Sequence, residues 1–290
     1  MSLDEVRPRR SVLYMPGSNA RALEKARTLP ADGLILDLED AVAPAAKEAA
    51  REQVVAELRR GGYGRRELIV RVNGLGTPWR EADLAAAATS GADGVALPKV
   101  ESAEEVREAE RALVAAGAPE RLALWCMIET PRGVLRADEI AGATPRLAGL
   151  VMGTSDLVKD LSARHTPQRT ETLAALGLCV LAARANGRAI LDGVALDLAD
   201  EAGFEAACRQ GRDMGFDGKT LIHPKQIEAA NRVFAPSPEE VEAARKIIAA
   251  FAEAEAQGKG VVVVDGRLVE NLHVENARRA LRLAEAIGAA

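Results

Sequence analysis

Aromatic residues, cysteines and long apolar runs are all scarce in this chain of 290 residues. Aromatic side chains make up only 3% of the sequence, so the core must be built mainly from Leu, Val, Ile and Ala. The three cysteines, Cys126, Cys179 and Cys208, are far apart, which argues against a disulfide framework and favours buried thiols. No stretch approaches the roughly 20 apolar residues that span a bilayer, and the charged start lacks the apolar segment of a secretory signal. We therefore expect a cytoplasmic protein that does not enter a membrane.

Positive charge is not in excess either, because 38 Lys and Arg stand against 43 Asp and Glu, a net charge of −5. Proteins that bind nucleic acid usually present a basic surface, so we expect no nucleic-acid partner. The hydrophobic share of 48% is too high for a disordered chain. The length fits two ordinary domains or one α/β barrel, which takes about 250 residues.

Eight short apolar runs recur along the chain, and a helical pattern follows each of them. The runs are continuous rather than alternating, which is typical of parallel strands buried on both faces. Eight such units predict an α/β protein in which the sheet closes into a (β/α)8 TIM barrel. An open doubly wound sheet is the alternative, but it carries a glycine-rich phosphate loop after its first strand, where this chain reads Pro16-Gly17-Ser18-Asn19. The predicted strands are 11–15, 33–38, 68–72, 94–97, 122–128, 147–152, 189–194 and 219–222.

The alternation of strands and helices stops after residue 231. A helix is predicted over 239–257, and the dipeptide Asp265-Gly266 between two short apolar runs predicts a β-hairpin. A last helix is predicted over 274–287. We therefore expect a barrel domain over 9–235 and a C-terminal extension over 236–290 that consists of helix, hairpin and helix.

Most of the predicted strands end in ionisable or polar residues, although the strands themselves are apolar. The active sites of (β/α)8 barrels lie at these carboxyl ends. Glu129 and Asp156 follow neighbouring strands, which lie about 4.8 Å apart, so the two carboxylates repel each other unless a cation lies between them. Oxygen ligands suit Mg²⁺; the alternative is that one acid caps the next helix. The strand-end residues are Tyr14, Asp37, Glu39, Asp40, Arg71, Asn73, Lys99, Glu129, Ser155, Asp156, Asp192 and His223.

Several of these side chains have two interpretations. Arg71 can hold a substrate carboxylate in bidentate fashion, or it can form a salt bridge to Asp37 or Glu39. The two are compatible, since one acid can orient the arginine, and Asp37 is therefore counted with Arg71 among the candidate catalytic groups. Lys99 can bind an anion or pair with Glu129.

Two basic residues and one histidine also have alternatives. Arg21 and Lys25 lie four residues apart on one predicted helix face, where they can hold phosphates or form an ordinary solvated surface. His223 invites assignment as a base, but a structural role fits at least as well. No GxSxG nucleophile motif is present.

Seven motifs at these strand ends resemble the citrate lyase β-subunit-like family of CoA ester lyases, within the HpcH/HpaI aldolase superfamily. The resemblance covers about residues 9–235 and implies a barrel that acts on CoA thioesters of hydroxy-dicarboxylates. It implies Mg²⁺ bound by Glu129 and Asp156, with Glu129 also near the substrate, and a 2-oxo acid carboxylate held by Arg71. The motifs are Arg10–Gly17 (RSVLYMPG), Leu36–Val42 (LDLEDAV), Val70–Asn73 (VRVN), Val95–Lys99 (VALPK), Ile128–Gly133 (IETPRG), Gly153–Leu157 (GTSDL) and Gly218–Pro224 (GKTLIHP).

The resemblance also implies how CoA binds and how subunits assemble. The CoA side would contact Tyr14, Arg21, Lys25 and the backbone of Ile222 and His223. Homotrimers or homohexamers are implied, in which the C-terminal extension of one chain covers the site of its neighbour. Many family members carry an acid/base Asp in that extension, whereas this chain has Glu270, which is one methylene longer.

The function implied by this resemblance is a Mg²⁺-dependent carbon–carbon lyase. It would cleave a 3-hydroxy-dicarboxylyl-CoA such as malyl-CoA or citramalyl-CoA into an acyl-CoA and a 2-oxo acid. One alternative is a (3S)-malyl-CoA thioesterase, in which water attacks the thioester. Two others are a citrate lyase β-type subunit that acts on a carrier-bound citryl thioester, and a pyruvate-type aldolase without CoA.

Overall fold

The computed structural model describes residues 6–288, and eight parallel strands form a closed barrel in the order β1 to β8. This confirms the predicted (β/α)8 barrel. Each strand begins within one residue and ends within two residues of its predicted run. The strands are β1 (Ser11–Pro16), β2 (Gly33–Asp37), β3 (Glu67–Arg71), β4 (Gly94–Leu97), β5 (Ala123–Ile128), β6 (Leu147–Met152), β7 (Ala189–Asp192) and β8 (Gly218–Leu221).

Ten of the helices lie between or after these strands. The segment after β5 forms two short helices, because Arg136 between them leaves helical geometry at φ −114° and ψ 15°. The helix α7 was not predicted. The helices are α1 (Ala20–Ala26), α2 (Lys47–Arg60), α3 (Arg80–Ala88), α4 (Ala103–Ala115), α5 (Pro131–Leu135), α6 (Ala137–Ala141), α7 (Thr154–Asp160), α8 (Leu173–Ala185), α9 (Glu201–Met214) and α10 (Ile227–Phe234), with 3-10 turns at Pro44–Ala46 and Pro224–Gln226.

Polar side chains define where several of these helices begin. The Asn19 side chain accepts a hydrogen bond from the Ala22 amide, and the Ser102 side chain accepts one from the Glu105 amide. Such caps satisfy amide groups that have no partner inside the helix. These caps therefore fix the residues at which α1 and α4 begin on the carboxyl face of the barrel.

The barrel interior is filled by one large aromatic ring and many aliphatic side chains. Trp125 is fully buried, and its ring lies against Gly94 and Gly149, where a Cβ atom would overlap it. The two glycines leave the room that the indole ring needs. One large ring can therefore fill a core that otherwise contains few aromatic side chains. The interior cluster consists of Val12, Ile35, Ile69, Ala96, Trp125, Met127, Val151 and Leu191.

Residues 9–231 form one compact unit, and the described residues after 231 form another together with 6–8. The second unit contains α11 (Pro238–Ala256), an antiparallel hairpin of β9 (Val262–Val264) and β10 (Arg267–Val269), and α12 (Asn271–Gly288). Asp265 and Gly266 form the predicted turn, both with positive φ. One face of the hairpin packs on Phe251, whereas Val263 and Leu268, paired across its other face, are 66% and 54% exposed. None of the helices within 6–288 is long and apolar enough to cross a membrane.

Candidate active site

Arg71 and Asp37 form a buried bidentate ion pair at the carboxyl ends of β3 and β2. The two residues are register partners, with Nε 2.7 Å from Oδ1 and Nη2 2.6 Å from Oδ2. The Asp37 carboxylate also accepts hydrogen bonds from the amides of Glu39 (2.8 Å) and Ala41 (3.1 Å). Burial alone would lower the pKa of Arg71, but the hydrogen bonds and charge of Asp37 raise it overall. With four donors around its carboxylate, Asp37 is arranged to orient Arg71 rather than to contact a substrate.

The remaining end of the Arg71 guanidinium faces the centre of the site. Its Nη1 lies 2.8 Å from Oε2 of Glu39 and 3.3 Å from Asp40. The guanidinium lies 5.0 Å above the Tyr14 ring, and Nη1 is 4.0 Å from the sulfur of Met127. Arg71 therefore pairs with both acids that the sequence offered. Because Asp37 occupies the Nε edge, a substrate carboxylate would have to meet the Nη1 end.

Lys99, two residues after β4, reaches into the same cluster of acids. Its ammonium lies 3.3 Å from Oε1 of Glu39 and 3.3 Å from Oδ2 of Asp156, and its backbone amide donates to Oε1 of Glu129 at 2.7 Å. Burial acts to lower the pKa of Lys99, but these carboxylates raise it overall, so the side chain is a cation. The ammonium thus pairs with Glu39 and Asp156, and Glu129 is contacted through the backbone.

Glu129 is almost fully buried at the end of β5. Burial, followed by the charge of Glu39, raises its pKa to about 7. The side chain lies against Gly153, where any Cβ atom would overlap the Cβ and Oε2 atoms of Glu129. Gly153 therefore provides the space that the Glu129 side chain occupies. From the sequence, Gly153 was identified only as the first residue of the motif Gly153–Leu157.

The charges of this cluster fit a divalent cation. Four carboxylates against two cations leave two negative charges, if the exposed Asp40 is set aside. Oε2 of Glu39 is buried, and its contact with Nη1 of Arg71 at 2.8 Å is an ion pair without hydrogen-bond geometry. No group of three or more His, Cys, Asp and Glu side chains among residues 6–288 forms a ready metal site. Mg²⁺ suits such a site, since it commonly takes one or two protein carboxylates and keeps its other positions for water and substrate. The six charged residues are Asp37, Glu39, Glu129, Asp156, Arg71 and Lys99.

A second group of residues, Lys47, Asn73 and Asp83, holds the loop after β2, and of these only Asn73 was found from the sequence. The buried ammonium of Lys47 donates to the carbonyl oxygens of Leu38 (2.8 Å) and Glu39 (2.6 Å). The side-chain amide of Asn73 donates to the carbonyl oxygen of Leu38 (3.0 Å) and to the buried carboxylate of Asp83 (2.6 Å). These bonds fix the backbone that carries Glu39. A lysine in the first turn of a helix usually lies on the surface, so the sequence held no sign of this contact.

The three side chains expected on the CoA side lie in two different places. Tyr14 is inside the barrel, beneath Arg71, with its hydroxyl 3.9 Å from the sulfur of Met127. Arg21 and Lys25 are exposed on α1, as the four-residue spacing predicted. Tyr14 therefore lies next to the Arg71 guanidinium, whereas Arg21 and Lys25 lie on the surface of α1.

Ile222 and His223 form the turn after β8. Their backbone amides both donate to Oε1 of Gln226, at 3.0 and 3.2 Å. Nδ1 of His223 accepts from the Lys225 amide, so His223 caps the 3-10 turn. This contact shows the structural role that the sequence left open for His223. The carbonyl oxygen of His223 also accepts from the Gln226 amide at 3.0 Å, so the turn bonds most of its own backbone polar groups.

Asp192 does not belong to the cluster, although it ends β7 as the sequence analysis noted. Its neighbour Leu191 faces the barrel interior, and successive strand residues face opposite sides, so Asp192 faces the helices. There it is fully buried, 2.8 Å from Nζ of Lys219 and 2.7 Å from Nη1 of Arg169. Asp192 is therefore the acidic partner in a buried structural ion pair with Lys219 and Arg169.

Glu270 lies in the second unit, between β10 and α12, with a half-buried side chain. Its backbone amide donates to Nδ1 of His273 at 3.0 Å, and its carbonyl oxygen accepts from the His273 amide at 2.9 Å. Its backbone is thereby fixed at the start of the helix.

Comparison with known proteins shows which family the chain resembles. The family model HpcH/HpaI aldolase/citrate lyase matches residues 10–224. The chain is 56% identical, over 98% of both chains, to a (3S)-malyl-CoA thioesterase from Cereibacter sphaeroides (strain KD131 / KCTC 12085). It is 39% identical to the citrate lyase subunit beta of Escherichia coli (strain K12), over 98% of this chain and 96% of the relative.

A solved structure shares the fold over almost the whole length. CitE from Mycobacterium tuberculosis, in complex with magnesium, acetoacetate and coenzyme A, is 31% identical, with a TM-score of 0.76 over 95% of this chain and 97% of that one. The resemblance carried by the strand-end motifs is thereby confirmed. The chain is an enzyme that belongs to the HpcH/HpaI aldolase/citrate lyase family.

Proposed function

We propose that this enzyme hydrolyses the thioester of (3S)-malyl-CoA, or of a closely similar hydroxy-dicarboxylyl-CoA, with Mg²⁺ as cofactor. The observation that carries this proposal is the 56% identity to (3S)-malyl-CoA thioesterase, which runs over 98% of both chains. The carbon–carbon lyase expected first from the sequence is the second candidate, because the citrate lyase β relative is 39% identical over nearly the same length.

Arg71 supplies recognition of the malyl group in this proposal. The guanidinium is held rigidly by Asp37, and its Nη1 end faces the cluster. A carboxylate of the substrate would replace Glu39 or Asp40 at that end. The planar fork of arginine suits this role, since it can bind one carboxylate on each edge.

Glu129 and Asp156 would hold the magnesium ion, with Lys99 and Glu39 beside them. When bound, the ion would polarise an oxygen of the substrate and stabilise negative charge that develops on it. The chain's own part is to fix Glu129 through the Lys99 amide and the space left by Gly153, and to hold Asp156 beside the Lys99 ammonium. The expected outcome of Glu129→Gln is a Mg²⁺ affinity lowered at least tenfold, with the fold retained. Calorimetry measures this, and unchanged affinity in both Glu129→Gln and Asp156→Asn would remove the two acids from the proposal.

The outer part of CoA would lie along α1. Arg21 and Lys25 are exposed there, four residues apart on one face, which suits a phosphate-bearing ligand. The carbonyl oxygen of Ile222 offers an acceptor for polar hydrogens of the same ligand. The carbonyl oxygen of His223 already accepts from the Gln226 amide, so a ligand would use its second lone pair.

Glu270 would supply the proton transfer from a neighbouring subunit. In hydrolysis the carboxylate would accept a proton from the attacking water as the water oxygen bonds to the thioester carbon. The protonated acid would then give that proton to the sulfur as the carbon–sulfur bond breaks, which releases CoA as its thiol and malate. The extra methylene relative to Asp gives this carboxylate a longer reach. The exposed apolar face of the hairpin, with Val263 and Leu268, supports burial against a second copy in a homotrimer or homohexamer.

A cytoplasmic location is proposed on the state of the cysteines. All three are free and buried, and free thiols persist in a reducing compartment.

A panel of thioesters tests the function and its alternatives. The purified enzyme is incubated with malyl-CoA, citramalyl-CoA or citryl-CoA, with and without Mg²⁺, while free CoA and 2-oxo acid are measured separately. We expect release of free CoA from malyl-CoA, dependent on Mg²⁺ and without 2-oxo acid. Formation of 2-oxo acid and acyl-CoA would support the lyase, and inactivity on all free CoA esters would support a carrier-bound substrate.

A further inference from the structure

Lys99 contacts both acids that we assign to the magnesium ion. Its amide donates to Glu129 at 2.7 Å, and its ammonium lies 3.3 Å from Oδ2 of Asp156 and 3.3 Å from Oε1 of Glu39. We propose that the Lys99 ammonium is a built-in competitor of the metal ion, which weakens the binding of Mg²⁺ to the free enzyme. This inference rests on the proposed metal site.

The backbone of Lys99 fixes where the ammonium can lie. Its φ is 50°, in the left-handed region that residues with a side chain rarely adopt. The conformation is held on both sides, because the Lys99 amide donates to Glu129 and the following Val100 amide donates to the Met127 carbonyl oxygen at 3.3 Å. An unfavourable conformation persists only where its surroundings hold it, so the side chain starts from a fixed point beside the acids.

The ammonium and a dication compete for the same negative charge. An ion bound by Asp156 would lie within a few ångström of the ammonium, where two positive charges repel strongly in a partly buried site. Glu39 holds the ammonium from its other side. Because the Lys99 side chain is 42% exposed, it can turn towards solvent, but only by giving up two ion pairs.

Competition of this kind couples the affinity for Mg²⁺ to the binding of the substrate. The free enzyme would hold Mg²⁺ weakly, since the ammonium already neutralises part of the cluster. A substrate carboxylate adds negative charge to the site and offsets the ammonium. The metal ion and the anionic substrate would therefore bind more strongly together than separately.

A second lysine on Asp156 provides a matched control. Nζ of Lys159 lies 3.9 Å from Oδ1 of Asp156, but its side chain is 73% exposed. Solvent and salt screen an exposed charge far more than a partly buried one. Removal of the Lys159 charge should therefore change Mg²⁺ affinity much less than removal of the Lys99 charge.

The experiment is calorimetric titration of the metal-free full-length enzyme with MgCl₂, for the wild type, Lys99→Met, Lys99→Gly and Lys159→Met. We expect at least tenfold tighter Mg²⁺ binding in Lys99→Met and a change of less than twofold in Lys159→Met. Glycine accepts a positive φ without strain, so Lys99→Gly should show the same tightening. Thermal unfolding of each metal-free variant shows whether that variant is folded. If Lys99→Met does not fold, the Mg²⁺ affinity of Lys99→Gly tests the proposal in its place.

Two results would overturn parts of the account separately. Binding of Mg²⁺ to both Lys99 variants that is unchanged or weaker than in the wild type would show that the ammonium does not compete, while the metal site itself stands. Absence of Mg²⁺ binding in the wild type and in every variant would overturn the metal site and the inference together.

Discussion

Arg71→Lys is expected to lower kcat/KM by about 30-fold to 4,000-fold. The lysine keeps the positive charge but loses the planar fork, so it cannot bind both oxygens of Asp37 and still present a donor to the substrate. Removal of a partner from a buried, hydrogen-bonded charge pair costs about 2–5 kcal/mol, and a tenfold change corresponds to about 1.4 kcal/mol. Steady-state kinetics with malyl-CoA measure the effect.

The opposite end of the same strand offers a matched control. Arg9 makes a bidentate pair with Glu67, the first residue of β3, at 2.6 and 2.9 Å. Arg9→Lys should lower the melting temperature as Arg71→Lys does, with kcat/KM within about threefold of the wild type. Wild-type kcat/KM in Arg71→Lys would contradict the assigned role of the guanidinium.

Glu270→Gln is expected to lower kcat by about 10²–10⁴, the usual effect of removing a general acid or base. Mg²⁺ and CoA affinities should stay nearly unchanged, because Glu270 belongs to neither binding group in our proposal. Glu270→Asp is the sharper variant. If the site is matched to the longer side chain, the shorter acid should also lower kcat, whereas equal or higher activity would show that the length of the acid is not selected here.

Mixed oligomers test whether Glu270 acts on a neighbouring chain. Subunits with Arg71→Ala and subunits with Glu270→Gln are each expected to be nearly inactive. Mixtures should recover part of the activity, because some sites then combine an intact Arg71 with an intact Glu270 from another chain. Oligomers that exchange subunits and show no recovery would contradict catalysis across the interface.

The barrel could be predicted closely because its signal is repeated and local. Eight apolar runs bounded by polar residues define the strands independently of one another, and each strand end then identifies one position on the active face. Asp37, Arg71 and Glu129 were found in this way. The pairing of Arg71 with Asp37 was also accessible, since both end neighbouring strands.

The sequence could not show where long or outward-facing side chains go. Asp192 ends a strand as Asp37 does, yet it faces the helices, and only the register of the closed barrel distinguishes the two. The ammonium of Lys99 had several acids within reach, and the left-handed backbone that directs it depends on tertiary contacts. Lys47 looked like a surface residue, because burial of its ammonium requires the carbonyl oxygens of a distant loop.

The most direct test of the account is a single turnover of (3S)-malyl-CoA in H₂¹⁸O with Mg²⁺, with products analysed by mass spectrometry. Hydrolysis of the thioester predicts free CoA and malate in equal amounts, with one ¹⁸O in a carboxylate of the malate. Acetyl-CoA and glyoxylate as the products of the first turnover, before any malate is formed, would contradict the proposed thioesterase and identify the enzyme as a lyase.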